Sequence, residues 1–181
     1  MLARYCSVMA SYVISVLGDD RTGLVAAISE AIDRHGGNWE RSHMTQLADK
    51  FAGIVQVTVP DEQADAFVAS LEAFESGGVL EVAIERAKGA PQPATTIEIR
   101  IVGNDHPGIV HELASLFASK GVSIDDLQTD TSAAPMSGGM LFEAIATLRL
   151  PAGLGADSLV TDVEAVAADL MVDVEIIDTT G

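Results

Sequence analysis

Several things are scarce in this sequence, and each scarcity removes a class of protein. A single cysteine, Cys6, cannot close an internal disulfide, which suits a reducing cytoplasm. Basic residues are few: 10 Lys and Arg stand against 27 Asp and Glu, for a formal charge of −17. A surface of that sign repels phosphate backbones and anionic lipid, so direct binding of nucleic acid or of an anionic membrane is not expected. Aromatic residues make up only 4% of the chain. With that charge, Trp39, Phe51, Phe67 and Phe142 read as core or interface side chains and not as a platform for stacking bases. No apolar run reaches the roughly 18 residues that a membrane-spanning helix needs. The apolar stretch Cys6 to Leu17 follows Arg4 in the manner of a signal peptide, yet no A-x-A-like cleavage site comes after it, so export is not expected.

What the sequence does have is hydrophobic material for a core, 48% of its residues, and an internal repeat. Gly103-Asn104-Asp105-His106-Pro107-Gly108-Ile109-Val110 echoes Gly18-Asp19-Asp20-Arg21-Thr22-Gly23-Leu24-Val25, 85 positions earlier. In both copies a run with strand periodicity precedes the loop and a run with helical periodicity follows it. The repeat predicts two units: residues 1–87 and 95–181, joined by a short Pro- and Gly-containing linker at 88–94.

Within the first unit, Tyr12 to Leu17 reads as a strand, ended by a turn at Gly18-Asp19-Asp20. From about Thr22 a helix is expected with Val25, Ile28, Ala31 and Ile32 on its core face, stopping at Gly36-Gly37. Asn38 to Leu47 extends, Asp49-Lys50 signals a turn, and Phe51 to Val59 puts Val55, Val57 and Val59 on one face. A helix opening at Pro60-Asp61 carries Ala64, Phe67, Val68, Leu71 and Phe74, and Val79 to Ile84 supplies a fourth strand. The second unit repeats this order. Ile97, Ile99 and Ile101 alternate with polar residues; Pro107 suits a first helical turn; Ile109, Val110, Leu113, Leu116 and Phe117 form a stripe. Strands are expected at Val122 to Thr131 and Met140 to Leu150, a helix with Leu159, Val163, Val166 and Leu170 inward, and a last strand at Val172 to Ile177. Strand, helix, strand, strand, helix, strand is the ferredoxin-like order. The fold class expected is therefore α+β, with two tandem antiparallel sheets carrying helices on one face. Open sheet edges invite pairing, so a continuous sheet and a homodimer are expected.

The repeated loop is the candidate site. A sharp exit from a strand into a helix calls for glycine, and the first helical amides lack internal partners. With the positive end of the helix dipole behind them, they suit a carboxylate. Asp20 or Asp105 could accept from an α-amino group, and Asn38 and Ser123, which begin the next strands, are expected close by. The same glycines would also be needed if they did nothing but turn the chain. His106 and His111 do not share a helix face and have no Cys partner, so no metal site is expected. No cofactor is implied either. Ser137-Gly138-Gly139 lacks the lysine and following helix of a phosphate loop. Two units of this size leave no third domain for a substrate pocket, so no catalytic residue is assigned.

Gly-x-Asp-x-x-Gly at the first turn, with Gly-Gly-Asn-Trp-Glu and Gly-Val-Ser-Ile-Asp at the second strand, resembles tandem ACT domains, from about Ser11 to Asp178. The stretch Ala134-Pro135-Met136-Ser137-Gly138-Gly139-Met140-Leu141-Phe142 is similar to the glycine cleavage system transcriptional repressor group. The resemblance implies a non-catalytic, cytoplasmic regulator that binds a small amino acid, glycine or serine, at an interface between ACT units. It would act on transcription through a protein partner, or alternatively as a regulatory subunit of a biosynthetic enzyme. Carried over, the ligand residues are Asp20, Arg21, Thr22, Gly23, Leu24 and Asn38 in the first unit. In the second they are Asn104, Asp105, His106, Pro107, Gly108, Ile109 and Ser123. Thr22 replaces the family's usual proline and Ser123 its usual asparagine, so the two sites are not equivalent.

Overall fold

The computed structural model describes residues 8–88, 94–134 and 138–180. Most of the expected linker, and Ser137 of the glycine-bearing loop, lie outside the described residues. The chain divides near residue 90 into two compact units. The first runs β1 (Met9–Asp19), α1 (Leu24–Arg34), β2 (Asn38–Leu47), β3 (Lys50–Pro60), α2 (Ala64–Ser76, after a 3-10 turn) and β4 (Glu81–Arg86). The second runs β5 (Thr96–Asn104), α3 (Ile109–Ser119), β6 (Ser123–Ala133), β7 (Met140–Arg149), α4 (Ala156–Leu170) and β8 (Val172–Thr180). The sheets are ordered β2-β3-β1-β4 and β6-β7-β5-β8, and every strand pair is antiparallel. Both units are ferredoxin-like, as the element order predicts.

The cores follow from alternation. In β1, Ala10, Tyr12, Ile14 and Val16 turn inward, and the register sets Ile14 beside Val55, Tyr12 beside Val57 and Ala10 beside Val59. In the second unit Ile97, Ile99 and Ile101 face the same way as Leu148, Ala146 and Ala144. The helices close over these faces with Leu24, Ile28, Ala31, Ile32, Phe67 and Leu71 in one unit, and Ile109, Leu113, Phe117, Leu159, Val163 and Ala167 in the other.

The helix phase differs from the expected one at a repeated position. Val25 and Val110, expected on the core stripes, are 46% and 42% exposed, while Leu24 and Ile109 are buried. Each helix begins immediately after its glycine, so the first helical residue sets the inward phase and its successor falls about 100° away. Val166 and Leu170 are only half-buried, with Ala167 taking the inward position. Three boundaries also differ. The hairpin turn is Ala48-Asp49, with Ala48 at φ 55°, one residue earlier than read. Pro107 lies ahead of the residue that caps α3, outside the first helical turn. β4 starts at Glu81, because Val79 and Leu80 are used in crossing the end of β1.

Phe67 is fully buried against Tyr12 and the edge of the His35 ring. Phe67→Ala is expected to cost about 3–5 kcal/mol. Urea unfolding followed by fluorescence of Trp39, the only tryptophan and part of the same core, would show this as a lower midpoint with unchanged slope.

Candidate functional site

The repeated loop leaves the central strand of each unit and is pinned at its start. The Asp20 amide donates to the Asp49 carbonyl at 2.9 Å, and the Asp105 amide donates to the Met140 carbonyl at 2.8 Å. These are the same place in the two sheets, one step beyond the β1–β3 and β5–β7 ladders. The four glycines have two different reasons. A Cβ on Gly18 would lie 2.8 Å from Leu80 Cδ2 and 2.9 Å from the Val79 carbonyl, and one on Gly103 would lie 2.6 Å from Val172 Cγ1. There the last segment of the unit crosses against bare backbone. Gly23 and Gly108 meet nothing within 4 Å, but their φ of 97° and 107° lie in the left-handed region.

Those left-handed glycines are also the helix caps. Ala27 donates to the Gly23 carbonyl and Glu112 to the Gly108 carbonyl, each at 2.9 Å, which are the first helical hydrogen bonds. Amides 24–26 and 109–111 therefore precede the ladder, and no side chain caps either helix. The carboxylates of Asp20 and Asp105 make no hydrogen bond or ion pair with the described residues. Each loop thus offers a set of uncommitted donors and one uncommitted acceptor group.

The basic residues of the loops are already committed. Arg21 Nη2 donates to the Gly78 carbonyl at 3.3 Å. His106 sets Nε2 2.8 Å from the Leu170 carbonyl and Nδ1 3.1 Å from the Pro107 carbonyl. Those two hydrogen bonds, Leu170 first, hold the imidazole above its ordinary pKa; the charge of Asp105 adds to this and desolvation opposes it. Beside Arg21, Asp19 pairs with Lys50, whose hydrogen bond keeps the Asp19 carboxyl below its usual range. Arg21, Lys50, Asp19, Glu75 and Glu81 line an open depression of about 490 Å³. Sequence gives no sign of Lys50, Glu75 and Glu81 here: strand register brings Lys50 and Glu81 to this end of β1, and the end of α2 brings Glu75.

Asn38 and Ser123 are not close to their own loops. Asn38 is level with Thr58 and so with Ser11, while the loop leaves beyond Gly18, seven residues or ~23 Å along the same strand. Ser123 is level with Arg149 and Thr96, at the corresponding far end. The reason is topological. The intervening helix runs back along the sheet before the next strand begins.

At that far end each unit holds a carboxylate on a bulge. Glu40 accepts from Asn38 Nδ2 at 2.9 Å and Thr58 Oγ1 at 2.8 Å, which together lower its pKa, Asn38 first. Asp125, the matching bulge residue, accepts from Arg149 Nε at 3.0 Å. Ser123 and Arg149 border an open depression of about 250 Å³.

Residues 11–76, from β1 to the end of α2, match the model of the ACT domain. The UPF0237 protein of Methanopyrus kandleri is 38% identical over 63 residues, 35% of this chain and 68% of the relative. The chain belongs to the ACT-domain family. A second UPF0237 protein, from Methanocaldococcus jannaschii, is 32% identical over 76 residues, 42% of this chain and 84% of its own length. Among solved structures, an unknown protein from Galdieria sulphuraria is 30% identical, with TM-score 0.84 over 96% of this chain and 100% of that one. A protein provisionally assigned as a glycine cleavage system transcriptional repressor shares the fold, with TM-score 0.69 and 17% identity over 96% and 99% of the two chains.

In each ACT unit, therefore, the residues carried over from the family divide into two groups at opposite ends of one sheet. The loop group comprises Asp20 to Leu24, or Asn104 to Ile109; the strand group is Asn38, or Ser123.

The glycine geometry makes a graded prediction. At Gly108, replacement by Asn should be tolerated best, Ala should cost about 1–2 kcal/mol, and Val more, because only backbone conformation is at issue. Alanine at Gly103 should cost about 1–3 kcal/mol through overpacking against Val172. Chemical denaturation of the four variants would check the order.

Proposed function

We propose that this ACT-domain protein is a non-catalytic regulator that binds a small amino acid at the N-termini of α1 and α3. One observation carries the reading: each uncapped helix start follows an aspartate whose carboxylate makes no hydrogen bond or ion pair with the described residues. Amide donors at a helix N-terminus suit an α-carboxylate, and a free carboxylate suits an α-ammonium, so the pair matches the two ends of a zwitterion. Asp20, Thr22, Gly23 and Leu24 form one such group; Asn104, Asp105, Pro107, Gly108 and Ile109 form the other. Arg21 and His106 border them.

Asn38 and Ser123 enter differently. Within one unit they stand ~23 Å along the sheet from the loop, so a single small ligand does not touch both groups of the same unit. If the strand group takes part, it does so through a second copy of the loop group, and the ligand then shifts assembly by its preference for one arrangement over another. We assign the downstream effect to a protein partner in the cytoplasm, with control of transcription in glycine or one-carbon metabolism as the reading that the shared fold supports. A charge of −17 argues against direct contact with DNA.

Thermal unfolding against the twenty amino acids at millimolar concentration tests this. A ligand at a hundred times its Kd stabilises by about 2.7 kcal/mol, enough to raise the midpoint by several degrees. The expected result is a rise with one or two small amino acids, reduced by Asp20→Ala or Asp105→Ala and abolished in the double variant. No rise with any amino acid overturns the proposal. Affinity capture then separates outputs: a transcription factor agrees with the reading, and a biosynthetic enzyme replaces it with a regulatory-subunit role.

A further inference from the structure

Arg21 and His106 occupy the same position of the repeated loop, and their hydrogen bonds end at the same place in the two units. Gly78 and Leu170 each stand two residues before the side chain, Leu80 or Val172, that packs against Gly18 or Gly103. Both lie where a helix gives way to the last strand: Gly78 follows α2 and Leu170 ends α4. Carbonyls at such an end lack helical partners and carry the negative pole of the dipole, so a cation is the fitting donor. With the Asp20 or Asp105 amide holding one side of the loop, this bond supplies a second anchor on the other side.

The two donors differ in one respect. A guanidinium is charged at every pH at which the protein is folded. The imidazole of His106 faces a carbonyl oxygen with each nitrogen, and carbonyl oxygens only accept. A neutral imidazole has one N–H and one lone pair, so only the imidazolium satisfies both contacts.

We propose that Arg21 and His106 are positioning residues that latch the repeated loop to the end of the second helix, permanently in the first unit and proton-dependently in the second. Asp105 in the loop is the charged group that acts on the second latch; Asp169 and Asp173 flank Leu170 in sequence, in α4 and β8. α3 adds His111 and Glu112, and β7 contributes the uncharged Met140 and Leu141. Because the folded-state pKa of His106 is raised, the latch is complete below about pH 6.5, the ordinary imidazole value, and is lost as pH rises through the folded value. Opening frees residues 106–109, which present the α3 amides, while the Asp105 amide keeps its bond to Met140 and feels the change through its neighbour. The consequence for ligand affinity rests on the amino-acid-binding reading; the latch itself does not.

An NMR pH titration of the full chain, from pH 5.5 to 9, separates the two. The His106 imidazole should titrate above its ordinary value, and the amide signals of residues 104–109 should move with the same midpoint. Those of residues 19–24 should not share it. His106→Arg should keep the loop signals at their low-pH positions throughout, and Arg21→His should transfer the pH response to residues 19–24. An imidazole that titrates at or below the ordinary value overturns the latch, as do 104–109 amides that respond alike in the wild type and His106→Arg. If no amino acid binds but the titration behaves as described, the ligand reading fails and the latch stands.

Discussion

The loop end of each unit follows from how a central strand is left. β1 and β5 have a hydrogen-bonded neighbour on both edges, so the chain can only continue past the strand tip and fold back over the sheet. The last segment of the unit already crosses at that tip, close enough to forbid a side chain at Gly18 or Gly103. A left-handed residue must then reverse the path within five positions. The resulting helix starts abruptly, without the side-chain cap that a gentler entry would allow. Packing thus leaves a cluster of unsatisfied amides on the surface, and that remainder is the polarity available for binding.

How much of this could be read in advance depended on the range of the interaction involved. Alternation in Val55, Val57 and Val59, or in Ile97, Ile99 and Ile101, is local and transfers directly to a buried sheet face. The glycine spacing of the loop is local too, and it located the candidate site. What failed was whatever depended on distance across the fold. Asn38 is fifteen residues from Gly23 in sequence, and only the strand register shows that a whole helix carries it to the opposite pole. Lys50 reaches Asp19 for the same reason. Val25 and Val110 stand seven residues before Ile32 and Phe117, so spacing alone admits them to the stripe; the adjacent Leu24 and Ile109 take the inward place.

The two copies share a backbone and differ in their electrostatics. The bulge at Glu40 is held by neutral donors, Asn38 and Thr58, whereas the one at Asp125 is held by an arginine. The loop of the first unit has a charged pair beside it, Asp19 and Lys50, where the second has Asn104 and Leu141. A ligand or a proton that meets both units therefore meets two different environments built on one scaffold.

The four glycines are fixed by geometry alone, two by a crossing segment and two by a left-handed turn, whatever lies between them. Of the four residues enclosed, three have changed between the copies and only the aspartate is common, while the frame around them is identical. Drift inside the frame leaves the core untouched, and drift of the frame breaks it. Duplication of such a unit gives two loops that can diverge in chemistry without either copy having to relearn how to fold.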